Sequence, residues 1–229
     1  KNIYPNLDLK EFLSSLPFTL TAGQQKVIMD IIQDLKGSKN MNRLIQGDVG
    51  SGKTAVACAA LYLSVRNGLQ GVMMAPTEIL ASQHYVTLKE FLNPLNITVE
   101  LLKGGIPGET RKKILSELKD GTIDILVGTH AIIQEDVEFF RLGMVVTDEQ
   151  HRFGVRQREN LVQKGQHPDV LVMSATPIPR TVALVLYSDL DISVIDTLPS
   201  GRQKVETYVV NRDMHKRVYD FMDREVKEG

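Results

Sequence analysis

The chain has 229 residues, 42% of them hydrophobic and 24% charged, enough for one large domain or one domain plus part of another. Its formal net charge of −1 gives no strong electrostatic footprint for nucleic acid, so any such contact must come from local donors. No run reaches the uninterrupted apolar length of a membrane span, no signal peptide is visible, and the single cysteine, Cys58, excludes an internal disulfide, which fits a reducing cytoplasm.

The first residue is Lys rather than Met, so a cut N-terminus is expected. Residues 1–17 read as an arm from an upstream domain, with Leu9, Phe12, Leu13 and Leu16 on one apolar helix face that ends before Pro17. Thr21 is a candidate N-cap for a helix in which Val27, Ile28, Ile31, Ile32 and Leu35 recur at helical spacing and which Gly37 ends. The side-chain amide of Gln24 can both donate to and accept from an adenine edge; a glutamine at a helix start can equally be just solvated. Arg43 to Gln46 reads as a strand and Lys53 to Asn67 as a helix. Between them lies Gly47-Asp48-Val49-Gly50-Ser51-Gly52-Lys53-Thr54, which matches G-x-x-x-x-G-K-[ST] in the strand–loop–helix context that this phosphate loop requires. Glycines let successive N–H groups point at anionic oxygens, and the helix start adds unpaired donors and the positive end of its dipole. Lys53 supplies a point charge for the outer phosphates of a nucleotide, and Thr54 a hydroxyl for Mg²⁺. The alternative is a chance glycine turn before a core helix. Cys58, in that helix, reads as a small core residue.

Gly71 to Ala75, Ile97 to Leu102, Ile123 to Val127, Met144 to Thr147 and Asp169 to Met173 read as strands. Ile79 to Leu92 and Glu109 to Lys119 read as the helices between them. Short apolar strands alternating with helices specify an α/β fold with a mostly parallel sheet covered on both faces. Ligands of such sheets bind at the carboxyl ends of strands. Pro76-Thr77, Gly104-Gly105, Gly128-Thr129-His130, Asp148-Glu149 and Ser174-Ala175-Thr176 all fall at or just beyond such ends, so they can share one rim. An acidic pair there suits a phosphate-loop enzyme: Asp148 to hold Mg²⁺ through water, Glu149 to orient and polarise the attacking water. Acidic pairs are also common on surfaces, and each glycine corner alone is an ordinary turn. The five histidines are scattered, so no structural zinc is expected. Leu198-Pro199-Ser200-Gly201-Arg202 breaks the rhythm as a linker. It is followed by a strand over Val205 to Val210 and a helix over Arg212 to Lys227.

Asp148-Glu149-Gln150-His151-Arg152-Phe153-Gly154 resembles the DEQHRFG motif of the RecG helicases of superfamily 2. The phosphate loop, Ala75-Pro76-Thr77-Glu78-Ile79-Leu80-Ala81-Ser82-Gln83-His84, and Met173-Ser174-Ala175-Thr176-Pro177-Ile178-Pro179-Arg180-Thr181 resemble further motifs of that family in the same order. Leu102-Lys103-Gly104-Gly105 and Val127-Gly128-Thr129-His130 resemble its two remaining DNA-side motifs, and Leu20-Thr21 with Gln24 its adenine-reading segment. The resemblance covers about residues 16 to 210. The transcription-repair translocase Mfd is the nearest competitor, and Gln150 and Ser51 favour RecG. Thr147 stands where a bulkier apolar residue is usual.

The resemblance implies a RecA-like P-loop NTPase lobe over residues 18–197, with residues 198–229 as linker and start of a second, incomplete lobe. It implies an ATP-dependent helicase, acting as a monomer on forks and Holliday junctions in DNA recombination and repair, with the second lobe and a wedge domain in cis. On this analogy Gln24 reads adenine, while Gly47, Asp48, Val49, Gly50, Ser51, Gly52, Lys53 and Thr54 hold phosphates. Thr54 and Asp148 hold the metal. Asp148 and Glu149 activate water, and Gln150 and His151 couple the nucleotide to Ser174, Ala175 and Thr176. Pro76, Thr77, Gly104, Gly105, Gly128, Thr129 and His130 face DNA. Arginine fingers belong to the second lobe, so the chain alone is expected to bind ATP·Mg²⁺ weakly and barely hydrolyse it. A phosphate-loop switch or kinase without a nucleic-acid role is the alternative of a different class.

Overall fold

Thr21 opens the first long helix by a reciprocal cap. Its hydroxyl accepts from the Gln24 backbone N–H, and the Gln24 side chain accepts from the Thr21 N–H at 2.8 Å, so two donors orphaned at the helix start are satisfied. The computed structural model describes residues 1–148, 160–175, 190–197 and 207–228. Their elements in chain order are α1 (Lys10–Ser15), α2 (Ala22–Lys36), β1 (Asn42–Gly47), α3 (Lys53–Val65), β2 (Gln70–Met74), α4 (Glu78–Leu92), β3 (Val99–Leu102), α5 (Gly108–Lys119), β4 (Ile125–Gly128), β5 (Leu142–Asp148), β6 (Asp169–Ser174), β7 (Asp191–Ile195) and α6 (His215–Glu228). The chain divides into two compact units, Lys1–Pro199 and Ser200–Gly229.

The first unit is built on a seven-stranded sheet in the order β3-β4-β2-β5-β6-β1-β7, and every described pairing is parallel. Every residue of β2, β4, β5 and β6 is buried, as a parallel sheet covered on both faces requires. The period of two sorts their side chains. Ile45, Met73, Val127, Val146 and Met173 join one core with α2, α3 and α4. Their neighbours Leu44, Val72, Leu126, Val145 and Val172 join the other, with Ile114 and Leu118 of α5. α3 is the central helix of the first core: every residue from Ala55 to Ser64 is buried, and five of those are Ala or Cys, small enough for close approach to the sheet. Burial pushes the Cys58 thiol up, away from the reactive thiolate. Native protein is therefore expected not to react with Ellman's reagent at pH 8, and to release one equivalent once denatured, matching its single cysteine. Full reaction without denaturant would contradict this packing.

Residues read as an arm in the sequence pack into the same body. Phe12 is fully buried with its ring 5.4 Å from that of Tyr62 on α3. The Tyr4 hydroxyl donates to Asp169 at 2.8 Å, and the other carboxylate oxygen of Asp169 accepts from the Met41 N–H at 2.6 Å. Burial and the Asp169 charge push the Tyr4 hydroxyl far up, so it remains a donor. The sequence reading has no counterpart of β7. This edge strand alternates Asp191 and Ser193 with apolar residues, and Arg43 pins it from β1. The Arg43 guanidinium donates to Ser193 at 2.7 Å and forks onto Asp34 of α2 at 2.6 and 2.9 Å.

The second unit holds a 3-10 turn over Arg212–Met214 and α6. The strand expected over Val205 to Val210 is absent from its described part, residues 207–210. A strand needs a neighbour to complete its ladder, and this unit contains no other strand among its described residues.

Candidate nucleotide site and its rim

The register places the two chemical clusters on one edge. Gln46 of β1 pairs with Ser174 of β6, and Met173 of β6 pairs with Asp148 of β5. Strands lie ~4.8 Å apart, so Asp148 ends its strand about 10 Å from the start of the phosphate loop, at the same carboxyl edge.

Backbone geometry shapes that loop. Gly50 and Gly52 have φ of 81° and 83°, the left-handed region that glycine alone enters cheaply. A Cβ on Gly52 would also collide with the Gln24 side-chain amide, and one on Gly47 would lie 2.6 Å from Ser51 Oγ. The Gln24 Nε2 donates to the Ser51 carbonyl at 2.8 Å, so the α2 cap and the phosphate loop are tied directly. Lys53 Nζ donates to the carbonyls of Gly47 at 2.6 Å and Asp48 at 3.0 Å. Its charge therefore stands over the loop. Ser51 Oγ is buried and has no hydrogen-bond partner among the described residues. A buried hydroxyl in that condition is costly unless another group meets it. Left-handed glycines, a lysine over the loop, an orphaned hydroxyl and the start of α3 together fit an anion of several phosphates.

Asp148 is 8% exposed and accepts from His84 Nε2 on α4 at 2.7 Å. Among the described residues no group of three or more His, Cys, Asp or Glu is placed to hold a metal. One carboxylate beside a phosphate loop suits Mg²⁺, which keeps most of its waters and takes ligands from phosphate. Thr54, at the start of α3, is half-buried. The remaining members of the acidic motif, Glu149, Gln150 and His151, lie outside the described residues, as does Thr176. Ser174 and Ala175 close β6 between the other two strand ends. The His84 contact was missed as a site feature: a lone histidine inside a helix carries no spacing signal, and its partner lies far along the chain.

The glycine corners occupy the neighbouring half of the edge. The Ala75 N–H donates to the Gly128 carbonyl at 2.9 Å, which brings Pro76-Thr77 beside Gly128-Thr129. Thr77 caps α4, its hydroxyl accepting from the Leu80 N–H at 3.3 Å. Gly105 has φ of 71° and is exposed, as is His130. A Cβ on Gly104 would lie 2.9 Å from Glu78 Oε1, so the turn after β3 adjoins the first turn of α4. Thr129 is buried, and its hydroxyl has no hydrogen-bond partner among the described residues. Gly128 is buried against β3, where a Cβ would collide with the Leu102 carbonyl. Gly128→Ala is therefore expected to destabilise the first unit by about 1–3 kcal/mol through strain between β3 and β4, read as a lower urea midpoint. An unchanged midpoint would show that the two strands are not so close.

Residues 21–185 match the family model described as DEAD/DEAH box helicase. The chain is 52% identical over 226 residues to the ATP-dependent DNA helicase RecG of Bacillus subtilis, covering 99% of this chain and 33% of that protein. It is 51% identical over 220 residues to the RecG of Thermotoga maritima, covering 96% of this chain and 28% of that one. A solved structure of RecG bound to a three-way DNA junction matches with a TM-score of 0.84 at 48% identity, covering 96% of this chain and 30% of that one. Mss116p bound to single-stranded RNA and AMP-PNP matches with a TM-score of 0.72 at 19% identity, covering 97% of this chain and 51% of that one, a likeness of fold alone. The parallel sheet is the RecA-like one of these helicases. The chain spans about a third of the length of the curated relatives it matches.

Proposed function

The chain belongs to the DEAD/DEAH box helicase family, and we propose that it is the ATP-binding lobe of a RecG-like motor that remodels branched DNA. The observation that carries this reading is the shared edge: the loop bearing Lys53 and the carboxylate of Asp148 end strands that are separated by β6 alone. Hydrolysis of a triphosphate needs positioning and charge stabilisation more than covalent help. In this reading Lys53, Ser51 and the loop N–H groups hold the phosphates. The second amide hydrogen and lone pair of Gln24, beyond those engaged by Ser51 and Thr21, serve the adenine edge. Thr54 and Asp148 hold Mg²⁺, which neutralises charge developing on the phosphates. Glu149 holds the attacking water and takes its proton. Gln150 and His151 exchange hydrogen bonds with Ser174, Ala175 and Thr176.

DNA lies along the half of the rim formed by the ends of β3, β4 and β2, touched by Pro76, Thr77, Gly104, Gly105 and His130, with the buried Gly128 and Thr129 shaping the corner behind them. Backbone N–H groups and hydroxyls there grip phosphates without reading sequence, as a translocating motor requires. The near-neutral charge of the chain agrees with contacts of this local kind. Forks and Holliday junctions are the substrates, engaged together with a wedge domain and a second lobe. The solved RecG complex with a three-way junction supports that assignment.

The test is a chimera in which this chain replaces the matching third of the Bacillus subtilis relative. Its ATP turnover should rise on adding forked DNA, more than on adding linear duplex. The chain alone should turn over ATP slower by ~10³–10⁵, the contribution of an arginine finger. Turnover indifferent to DNA would favour a phosphate-loop ATPase without a nucleic-acid role.

A further inference from the structure

His84 lies on the buried face of α4 with Ala81 and Leu88, where an apolar side chain would pack as well. A buried imidazole is costly unless hydrogen-bonded, and this one spends its bond on Asp148. The carboxylate can only accept, so Nε2 carries the proton and His84 Nε2–H donates to Asp148 Oδ2 at 2.7 Å. The bond joins elements that are not neighbours. α4 packs over β3 and β4, whereas Asp148 ends β5, on the far side of β2 in the sheet order. His84 therefore reaches past the end of β2. The same helix begins at Thr77 and Glu78, about 10 Å away at ~1.5 Å per residue, where its first turn adjoins Gly104.

We propose that His84 is a positioning residue for Asp148. It fixes the carboxylate by Oδ2, which leaves Oδ1 as the oxygen that would meet the water shell of a bound metal, and it tethers that carboxylate to the helix whose first turn forms the rim of β2 and β3. The proposal rests on the nucleotide reading above. Partners that orient a metal-holding carboxylate typically contribute ~10–100-fold in metal affinity.

The experiment titrates this chain with ATP, once in excess EDTA and once in millimolar Mg²⁺, for the unaltered protein, His84→Leu, His84→Gln, Asp148→Asn and the double variant His84→Leu with Asp148→Asn. His84→Leu keeps volume and removes the donor; His84→Gln keeps a donor at nearly the same reach. His84→Leu should lose ~10–100-fold of the gain in ATP affinity that Mg²⁺ confers, with metal-free affinity unchanged and the chain still folded at the assay temperature, at a lower melting temperature because the Asp148 carboxylate loses its donor. His84→Gln should recover most of it. In the Asp148→Asn background His84→Leu should add nothing, since the two act as one unit. If His84→Leu does not fold, His84→Asn, whose amide is too short to reach Oδ2, takes its place. A full Mg²⁺-dependent gain in the donor-less variant, or an equal loss with and without metal, would overturn the proposal and leave His84 a packing residue. Failure of the unaltered chain to bind ATP under either condition would instead remove the nucleotide reading, and this proposal with it.

Discussion

Lys53→Ala is expected to lower DNA-stimulated ATP turnover of the chimera by at least ~10²–10³-fold, the usual cost of removing one preorganised donor from a phosphoryl or acyl transition state. The fold should barely notice. Lys53 is half-buried, and its contacts include two hydrogen bonds to loop carbonyls, at 2.6 and 3.0 Å. Those carbonyls can turn to water, so the expected stability change is about 1 kcal/mol. The asymmetry is the point: a lysine held over a glycine loop stabilises little of the resting protein and most of a triphosphate's outer charge. Turnover near that of the unaltered chimera, or a loss explained by unfolding in circular dichroism, would contradict the assignment.

Phe12→Ala is expected to destabilise the first unit by about 3–5 kcal/mol, a large share of the ~5–15 kcal/mol that holds a typical domain together. Phe12 is fully buried against Tyr62 of the central helix. Truncation would therefore open a cavity beside α3, which also carries Lys53 and Thr54. Urea unfolding monitored by far-ultraviolet circular dichroism gives the number directly. A change below about 1 kcal/mol would mean that residues 1–17 are a peripheral arm after all, as their short apolar pattern reads in isolation.

That contrast shows what the sequence makes legible. β2, β4, β5 and β6 are buried on both faces and therefore appear as unbroken apolar runs. β7 lies at the sheet edge with mixed exposure, and its Asp191 and Ser193 interrupt any such run. The helix face of Phe12 is visible in the sequence, but its partner Tyr62 is not, because helical periodicity reports a face and never what covers it. The phosphate loop is legible for the opposite reason: its chemistry is local, and every glycine position follows from backbone geometry. Gln24 falls between. Its dual hydrogen-bonding capacity can be read from the amide, whereas its commitment to Thr21 and Ser51 depends on α2 packing against the loop. His84 is the extreme case, a contact between α4 and the end of β5 that exists only once the sheet order is set.

The most direct test of the account is a structure of this chain with Mg²⁺ and a non-hydrolysable ATP analogue. It should place the outer phosphates within hydrogen-bonding distance of Lys53 Nζ, with the metal between Thr54 and Asp148 and joined to the latter through water. A nucleotide bound away from this edge, or a metal held without either residue, would contradict it.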